Sequence, residues 1–254
     1  MASIVLLVVA LAAERQALQS LLQERRGRRL GGRAAVSGRL ACRDVLLVQA
    51  GIGRDRARDA VVAAAREFHV QAAWSLGFAG GLSELLGPGD LVYPAVVLDD
   101  ADAGAAPLAA DPSHATVCAA LRRAAICVDS GSLLSVATAL RTPENKRAAC
   151  RRSKAVAVEM EAAGVARAAQ GLGIPWVALK TIVDTLDDQL PPFLAACTTP
   201  QGDVRWRGLV AGALTGPDAW RSLVRLARSS RKAGRTLWQG LEVAFETWAA
   251  LTAF

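Results

Sequence analysis

Two glutamates stand two residues apart in Ala157-Val158-Glu159-Met160-Glu161-Ala162, an otherwise apolar run. In an extended chain, residues i and i+2 share a side. Glu159 and Glu161 could then accept hydrogen bonds together from vicinal hydroxyls such as those of a ribose. The commoner use of acids at such a place is to complement the dipole at a helix N-terminus. Asp184 follows the apolar run Val177–Val183. Ligands of open α/β sheets gather at the carboxyl ends of strands, which makes Asp184 a candidate proton donor; an N-cap or turn aspartate is its more ordinary role. A third segment, Leu76-Gly77-Phe78-Ala79-Gly80-Gly81-Leu82, has the small residues that let backbone approach a ligand and present N–H groups to it. A tight turn would need the same residues.

Other chemistry finds less support. Gly51-Ile52-Gly53 imitates the start of a dinucleotide fingerprint, but Arg56 occupies the third glycine position. These glycines read instead as a tight strand-to-helix turn. His69 and His114 have no partners at triad or metal spacing, and Ser75, Ser132 and Ser135 lack a nucleophile-elbow context. Cys42, Cys118, Cys127, Cys150 and Cys197 are scattered with no CxxC pair, which signals neither zinc nor a disulfide framework. They read as reduced cysteines of a cytoplasmic protein. No metal and no cofactor is expected.

The elements that must position these residues alternate between strand and helix. Ile4–Ala10 reads as a first buried strand and Glu14–Arg25 as a helix, with Arg25–Arg33 a Gly/Arg-rich connection. Strands follow at Asp44–Gln49, Ala72–Leu76 (running into a turn at Gly77–Gly81), Asp90–Leu98, Ser132–Val136, Ala155–Glu159 and Trp176–Val183. Helices are expected at Arg56–Phe68, His114–Ala125 and Ala162–Gly171, and a surface loop at Asp99–Pro112. Such alternation implies an α/β fold: a single three-layer α/β/α domain with a central mixed, mostly parallel sheet over residues 1–216. A basic, amphipathic C-terminal helical extension occupies 217–254.

At 254 residues, 52% of them apolar, the chain can bury a large core and is poorly suited to disorder. The apolar start, Ile4–Ala13, is too short to span a bilayer and no basic residue precedes it. The net charge of +7 favours anionic partners, or else reflects arginines used as a solvated surface. Two basic runs, Arg25–Arg29 and Arg221–Arg235, could suggest nucleic acid, but neither an interleaved aromatic surface nor a known motif accompanies them, and no nucleic acid is expected as a partner.

Taken in order, the opening strand ending at Glu14, the GIG turn, the GFAGGL segment followed by Gly89-Asp90, the VEMEA segment and the strand ending at Asp184 resemble the superfamily of purine nucleoside phosphorylases and methylthioadenosine/adenosylhomocysteine nucleosidases. The likeness covers about Ile4 to Pro192. Gly131–Val136, Glu144–Arg147, Leu190-Pro191-Pro192 and the basic C-terminal helix are similar to the hopanoid-associated phosphorylase branch. The resemblance implies cleavage of an N-glycosidic bond, with adenine released from adenosylhopane, a membrane lipid precursor. By position, Asp184 would protonate the purine at N7 and Glu14 would activate water. Met160 and Glu161, within Val158–Glu161, would hold the ribose, and Phe78, Ala79 and Gly80 would line the nucleoside. Phosphate would be a co-substrate if the reaction were phosphorolysis.

This chain departs from the phosphate-using relatives. They carry Arg and Ser around the Gly-rich segment where it has Ser75 and Phe78, and Lys180 stands where relatives often have Arg. Both departures favour hydrolysis. Phosphorolysis with phosphate on Arg54 or Arg56 is the alternative, and a catalytically silent nucleoside-binding protein is another; the presence of Glu14, Glu161 and Asp184 together speaks against the latter. A small or lipid-linked nucleoside, an anionic membrane surface and further copies of the chain in a homo-oligomer are the expected partners. The implied setting is the cytoplasm, at the inner face of the membrane. Arg221, Arg225, Arg228, Lys232 and Arg235 recur every three or four residues and form one basic stripe. Trp220, Leu223, Ala227, Leu237, Leu241, Phe245 and Trp248 fall on a neighbouring face, for a bilayer interface or for the protein's own core.

Overall fold

Six of the seven residues of Ser3–Val9 (β1) are buried, as befits a strand covered on both faces. The computed structural model describes residues 2–102, 106–109, 111–191, 197, 199–203 and 216–252. After β1 come α1 (Ala12–Leu18), β2 (Gln23–Leu30), β3 (Arg33–Leu40), β4 (Arg43–Gln49), α2 (Arg54–Glu67) and β5 (His69–Gly81). The middle of the chain forms β6 (Leu91–Val92), β7 (Val96–Asp99), β8 (Leu108–Ala109), α3 (His114–Arg123), β9 (Val128–Asp129), β10 (Leu133–Ser135) and α4 (Pro143–Ser153). Then follow β11 (Ala157–Glu159), α5 (Ala162–Gly171), β12 (Trp176–Asp184) and α6 (Pro217–Leu251).

The strands form one mixed sheet in the order β2-β3-β4-β1-β5-β11-β10-β7-β8, with β12 against β5 and β6, and β9 beside β6. Alternation along β1 divides the core. Ile4, Leu6 and Val8 pack with α2 and α5, whereas Val5, Leu7 and Val9 pack with α1, α3 and α6. The result is the expected three-layer α/β/α arrangement. Small side chains let the helices on the first face approach closely: a Cβ on Gly164 of α5 would stand 2.1 Å from the Arg54 carbonyl oxygen of α2.

Several elements differ from expectation. The helix begun near Glu14 ends at Leu18, and the arginine-rich stretch is strand β2, which is antiparallel to β3. Gly31 and Gly32, both at positive φ, form the two-residue connection of this hairpin. Seven of the eight β2 residues are exposed, and charge on such an edge opposes pairing with another chain. The Gly-rich segment is no turn: β5 runs straight through Gly77–Gly81. The expected strand over Asp90–Leu98 is two strands, β6 and β7, and the expected loop after it contains β8. Pro192 lies outside the described residues.

The two halves of α6 behave differently. Leu237, Leu241, Phe245 and Trp248 are buried, with the Phe245 and Trp248 rings 5.5 and 5.7 Å from Trp74 of β5. Trp220 and Ala227, expected on the same stripe, are exposed, as are Arg225, Arg228, Arg231, Lys232 and Arg235. The apolar stripe therefore serves the protein's own core over the second half, and the first half keeps a basic outer face. Among the described residues no helix is long and apolar enough to cross a membrane.

Candidate active site

The carboxyl end of β5 is wedged between two strands that bring chemistry from distant parts of the chain. Gly80 is in register with Val158 of β11 on one side and with Asp184 of β12 on the other. β1 lies beside β5 up to Ser75, and the chain leaving β1 turns into α1, which carries Glu14. Asp184, Glu14, Phe78, Ala79, Gly80, Val158, Glu159, Met160 and Glu161 therefore converge on one strand end.

Glu14 sits at the third position of α1 and reaches back to the helix start, as the acid of a capping box does. Its Oε2 accepts from the backbone N–H groups of Ala10 (2.9 Å) and Leu11 (2.8 Å), and its Oε1 from Phe78 N–H (2.8 Å). A carboxylate offers about four acceptor sites, so one is left for a proton. Gly77 must be glycine here: its φ is +136°, and a Cβ would lie 2.5 Å from Glu14 Oε1. Burial raises the Glu14 pKa above its ordinary value, and the N–H groups and Lys180 only partly offset this.

The paired glutamates take different posts. Glu159 ends β11 and caps α5, accepting from the N–H groups of Glu161 (3.0 Å) and Ala162 (2.9 Å). Glu161 is the N-cap residue itself and accepts from Gly53 N–H at 2.8 Å, which gives the GIG turn a part in the site. Between the glutamates lies Lys180 of β12, 1% exposed, with Nζ 2.9 Å from Glu159 Oε2. Burial works against this ammonium, but Glu159, Glu161 and Glu14 outweigh it and hold the lysine charged, above its usual value. Among the described residues Lys180 is the cation these three carboxylates share, and burial, then the Glu159 charge, push Glu161 up to about 7.

Among the described residues, Asp184 bonds through its side chain to a lysine rather than to the N–H groups of a helix start or a turn. Its Oδ2 accepts from Nζ of Lys146, which lies in the second turn of α4 and is fully buried. Burial raises the Asp184 pKa, with Lys146 pulling the other way. The expected strand end was legible in the sequence, but the lysine partner was not. Val158 packs its side chain toward Gly80, and Met160 is half-buried against the apolar cluster that includes Leu134 and Val136. Arg54, weighed above as a phosphate ligand, is instead bound to Asp99 at 2.6 Å. A cleft of about 500 Å³ opens between α1 and α6, with Ala13, Ala17, Phe78, Gly234 and Trp238 among its walls.

This cluster can in principle donate a proton from one carboxyl, accept one at another and stabilise positive charge between them. A sequence model described as the phosphorylase superfamily matches residues 4–199. No curated protein sequence matches the chain. Among solved structures, futalosine hydrolase of Helicobacter pylori is 19% identical, with 97% of this chain and 99% of that chain covered and a TM-score of 0.76. S-adenosylhomocysteine nucleosidase of Streptococcus pyogenes, in complex with 5-methylthiotubericidin, is 18% identical over 96% of this chain and 97% of that chain, with a TM-score of 0.74. The 5'-methylthioadenosine/S-adenosylhomocysteine nucleosidase of Neisseria meningitidis is 20% identical, over 97% of this chain and all of that one, with a TM-score of 0.72. At these identities the likeness is one of fold.

Proposed function

The chain belongs to the phosphorylase superfamily, and we propose that it hydrolyses the N-glycosidic bond of a purine nucleoside and releases adenine. The observation that carries this reading is the meeting of Glu14 and Asp184 at the end of β5, one at Phe78 and the other at Gly80. Those two strand positions are roughly 7 Å apart, enough for a ribosyl group between an acid and a base. Asp184 protonates the purine at N7, so the base departs as neutral adenine. Glu161 and Met160 hold the ribose, whose C1′ gains oxocarbenium character over the Glu14–Glu159–Glu161 cluster. Glu14 takes a proton from the attacking water.

Hydrolysis is favoured over phosphorolysis by charge. Lys180, Lys146 and Arg54 are each already paired with a carboxylate, and the rest of the cluster is acidic, which repels phosphate. Adenine release is therefore expected to be unchanged by added phosphate. Glu14→Gln is expected to lower it about 10²–10⁴-fold while nucleoside binding stays measurable. Strict dependence on phosphate, with indifference to Glu14→Gln, would move the protein to the phosphorolytic class.

The finer reading is an adenosine-bearing hopanoid lipid as substrate, met at an anionic membrane surface. It is supported by the cleft between α1 and α6 and by the exposed basic face of α6 with Trp220, 57% exposed, at its start. The core role of the second half of α6 makes truncation of the helix an unsuitable test. Reversing Arg228, Arg231 and Arg235 to Glu leaves the buried residues of that half, Leu237 to Trp248, in place. With about 1 kcal/mol per basic residue near such a surface, the triple variant is expected to bind anionic vesicles at least about 100-fold more weakly. Equal sedimentation of both proteins with phosphatidylserine vesicles would remove the membrane from the proposal.

A further inference from the structure

We propose that Lys146 is a positioning residue for Asp184: it fixes which carboxylate oxygen meets the leaving group and limits how tightly that carboxyl holds its proton. Lysine is seldom fully buried, and Lys146 is 0% exposed. Its ammonium has three donors and all three are used. One goes to Asp184 Oδ2, one to the Thr185 carbonyl at 2.6 Å and one to the Asp188 carbonyl at 3.0 Å. The lysine is thus locked to the acid and to two backbone carbonyls of the segment that follows it.

Two consequences follow from chemistry. First, Lys146 takes up Oδ2, so Oδ1 is the oxygen with more acceptor capacity left for a ligand; both oxygens border Gly80, where a Cβ would lie 3.1 Å from Oδ2 and 3.5 Å from Oδ1. Second, a buried carboxyl without a cation holds its proton tightly, which makes it a weak acid. Among the described residues, the charges facing Asp184 are Lys146 from α4 and Asp188 from the following loop. Asp188 raises its proton affinity, but this carboxylate is itself engaged by Arg225 of α6 at 3.2 Å and by the Thr185 N–H and hydroxyl at 2.8 and 3.0 Å. Lys146 is therefore the cation that opposes burial.

An ordinary structural role remains the rival: Lys146 could merely pin the loop. The two differ in what Lys146→Met does. The inference rests on Asp184 being the acid of the proposed reaction, so the first measurements avoid turnover. Carboxyl carbon NMR of the aspartates is expected to show Asp184 titrating at least about one unit higher in Lys146→Met than in the wild type. The chain has four lysines, so their Nζ signals can be assigned, and in Asp184→Asn the Lys146 Nζ signal is expected to move at fixed pH because its charged partner is gone. This second arm does not require Lys146→Met to fold. Lys146→Arg, which keeps the charge, is expected to leave the Asp184 titration close to wild type.

In turnover, Lys146→Met should shift the alkaline limb of kcat upward by the same interval and lower kcat more than it raises KM. A riboside with p-nitrophenolate as leaving group, which needs no proton, should be cleaved within a few-fold of wild type. An unmoved Asp184 titration, an unmoved Lys146 Nζ signal, or equal losses on the purine nucleoside and the p-nitrophenyl riboside overturn the inference. Should the titrations move as expected while the wild type cleaves no purine nucleoside, the reaction proposed above fails and the Lys146–Asp184 coupling stands.

Discussion

Asp184→Asn is expected to lower adenine release about 10²–10⁴-fold, the usual contribution of a positioned acid. The amide keeps the shape of the carboxyl and can still accept from Lys146, but it has no acidic proton for N7. Lys146 loses its counter-charge and stability falls, so the comparison is made at a temperature where circular dichroism shows both proteins folded. The pH profile gives an independent check. Asp184 acts protonated and its pKa is raised by burial, so wild-type activity declines as pH rises through a value above the ordinary carboxylate range. Glu14 acts ionised, so activity also declines as pH falls through its own pKa. A variant keeping more than a tenth of wild-type kcat would mean that the proton comes from elsewhere.

The second large effect is on stability. Lys180→Met leaves Glu14, Glu159 and Glu161 buried together with no cation. Breaking a buried pair from one side costs about 3–5 kcal/mol, so denaturant unfolding at pH 8 should show a loss of that order. The sign of the pH dependence follows from linkage. Carboxyls whose folded pKa values are raised above the unfolded value of 4.5, as Glu161 already is at about 7, bind protons more tightly when folded. Their unfavourable contribution is absent below the unfolded pKa and grows as pH rises through the raised value. The variant should therefore lie much closer to wild type at pH 5 than at pH 8, and Lys180→Met/Glu159→Gln should recover part of the loss at pH 8. Equal destabilisation at both pH values would mean that lost packing, not charge, dominates.

The sequence made the strand ends legible. The apolar run Trp176–Val183 announced β12 and so delivered Asp184, and the acidic interruption of an apolar run announced Glu159 and Glu161. The Gly-rich segment was harder because glycine has two uses. Gly77 and Gly80 are small since Glu14 and Asp184 press against a continuing strand, and local sequence cannot separate close approach from a turn. The arginines of β2 look like a solvated connection because an edge strand exposed on nearly all its residues loses the period-two pattern; Gly31-Gly32 was the remaining signal of a hairpin. Lys146 and Lys180 were the least legible as partners. Lys146 meets an aspartate 38 residues away, and Lys180 a glutamate 21 residues away on another strand, so each pairing exists only once the sheet has formed.

The seat of Phe245 and Trp248 against Trp74 also sets a timetable for synthesis. β5 is complete by Gly81, yet the side of the sheet that carries Trp74 is closed by Phe245 and Trp248, made more than 160 residues later. At about 5–20 residues per second, translating the 35 residues of α6 alone takes several seconds. Through that interval the nascent chain can hold the α2–α5 face closed while Trp74 and its neighbours stay open to water. The layer over Trp74 is therefore added long after the strand it covers, and until α6 is made the chain displays a wide apolar surface of the kind chaperones bind.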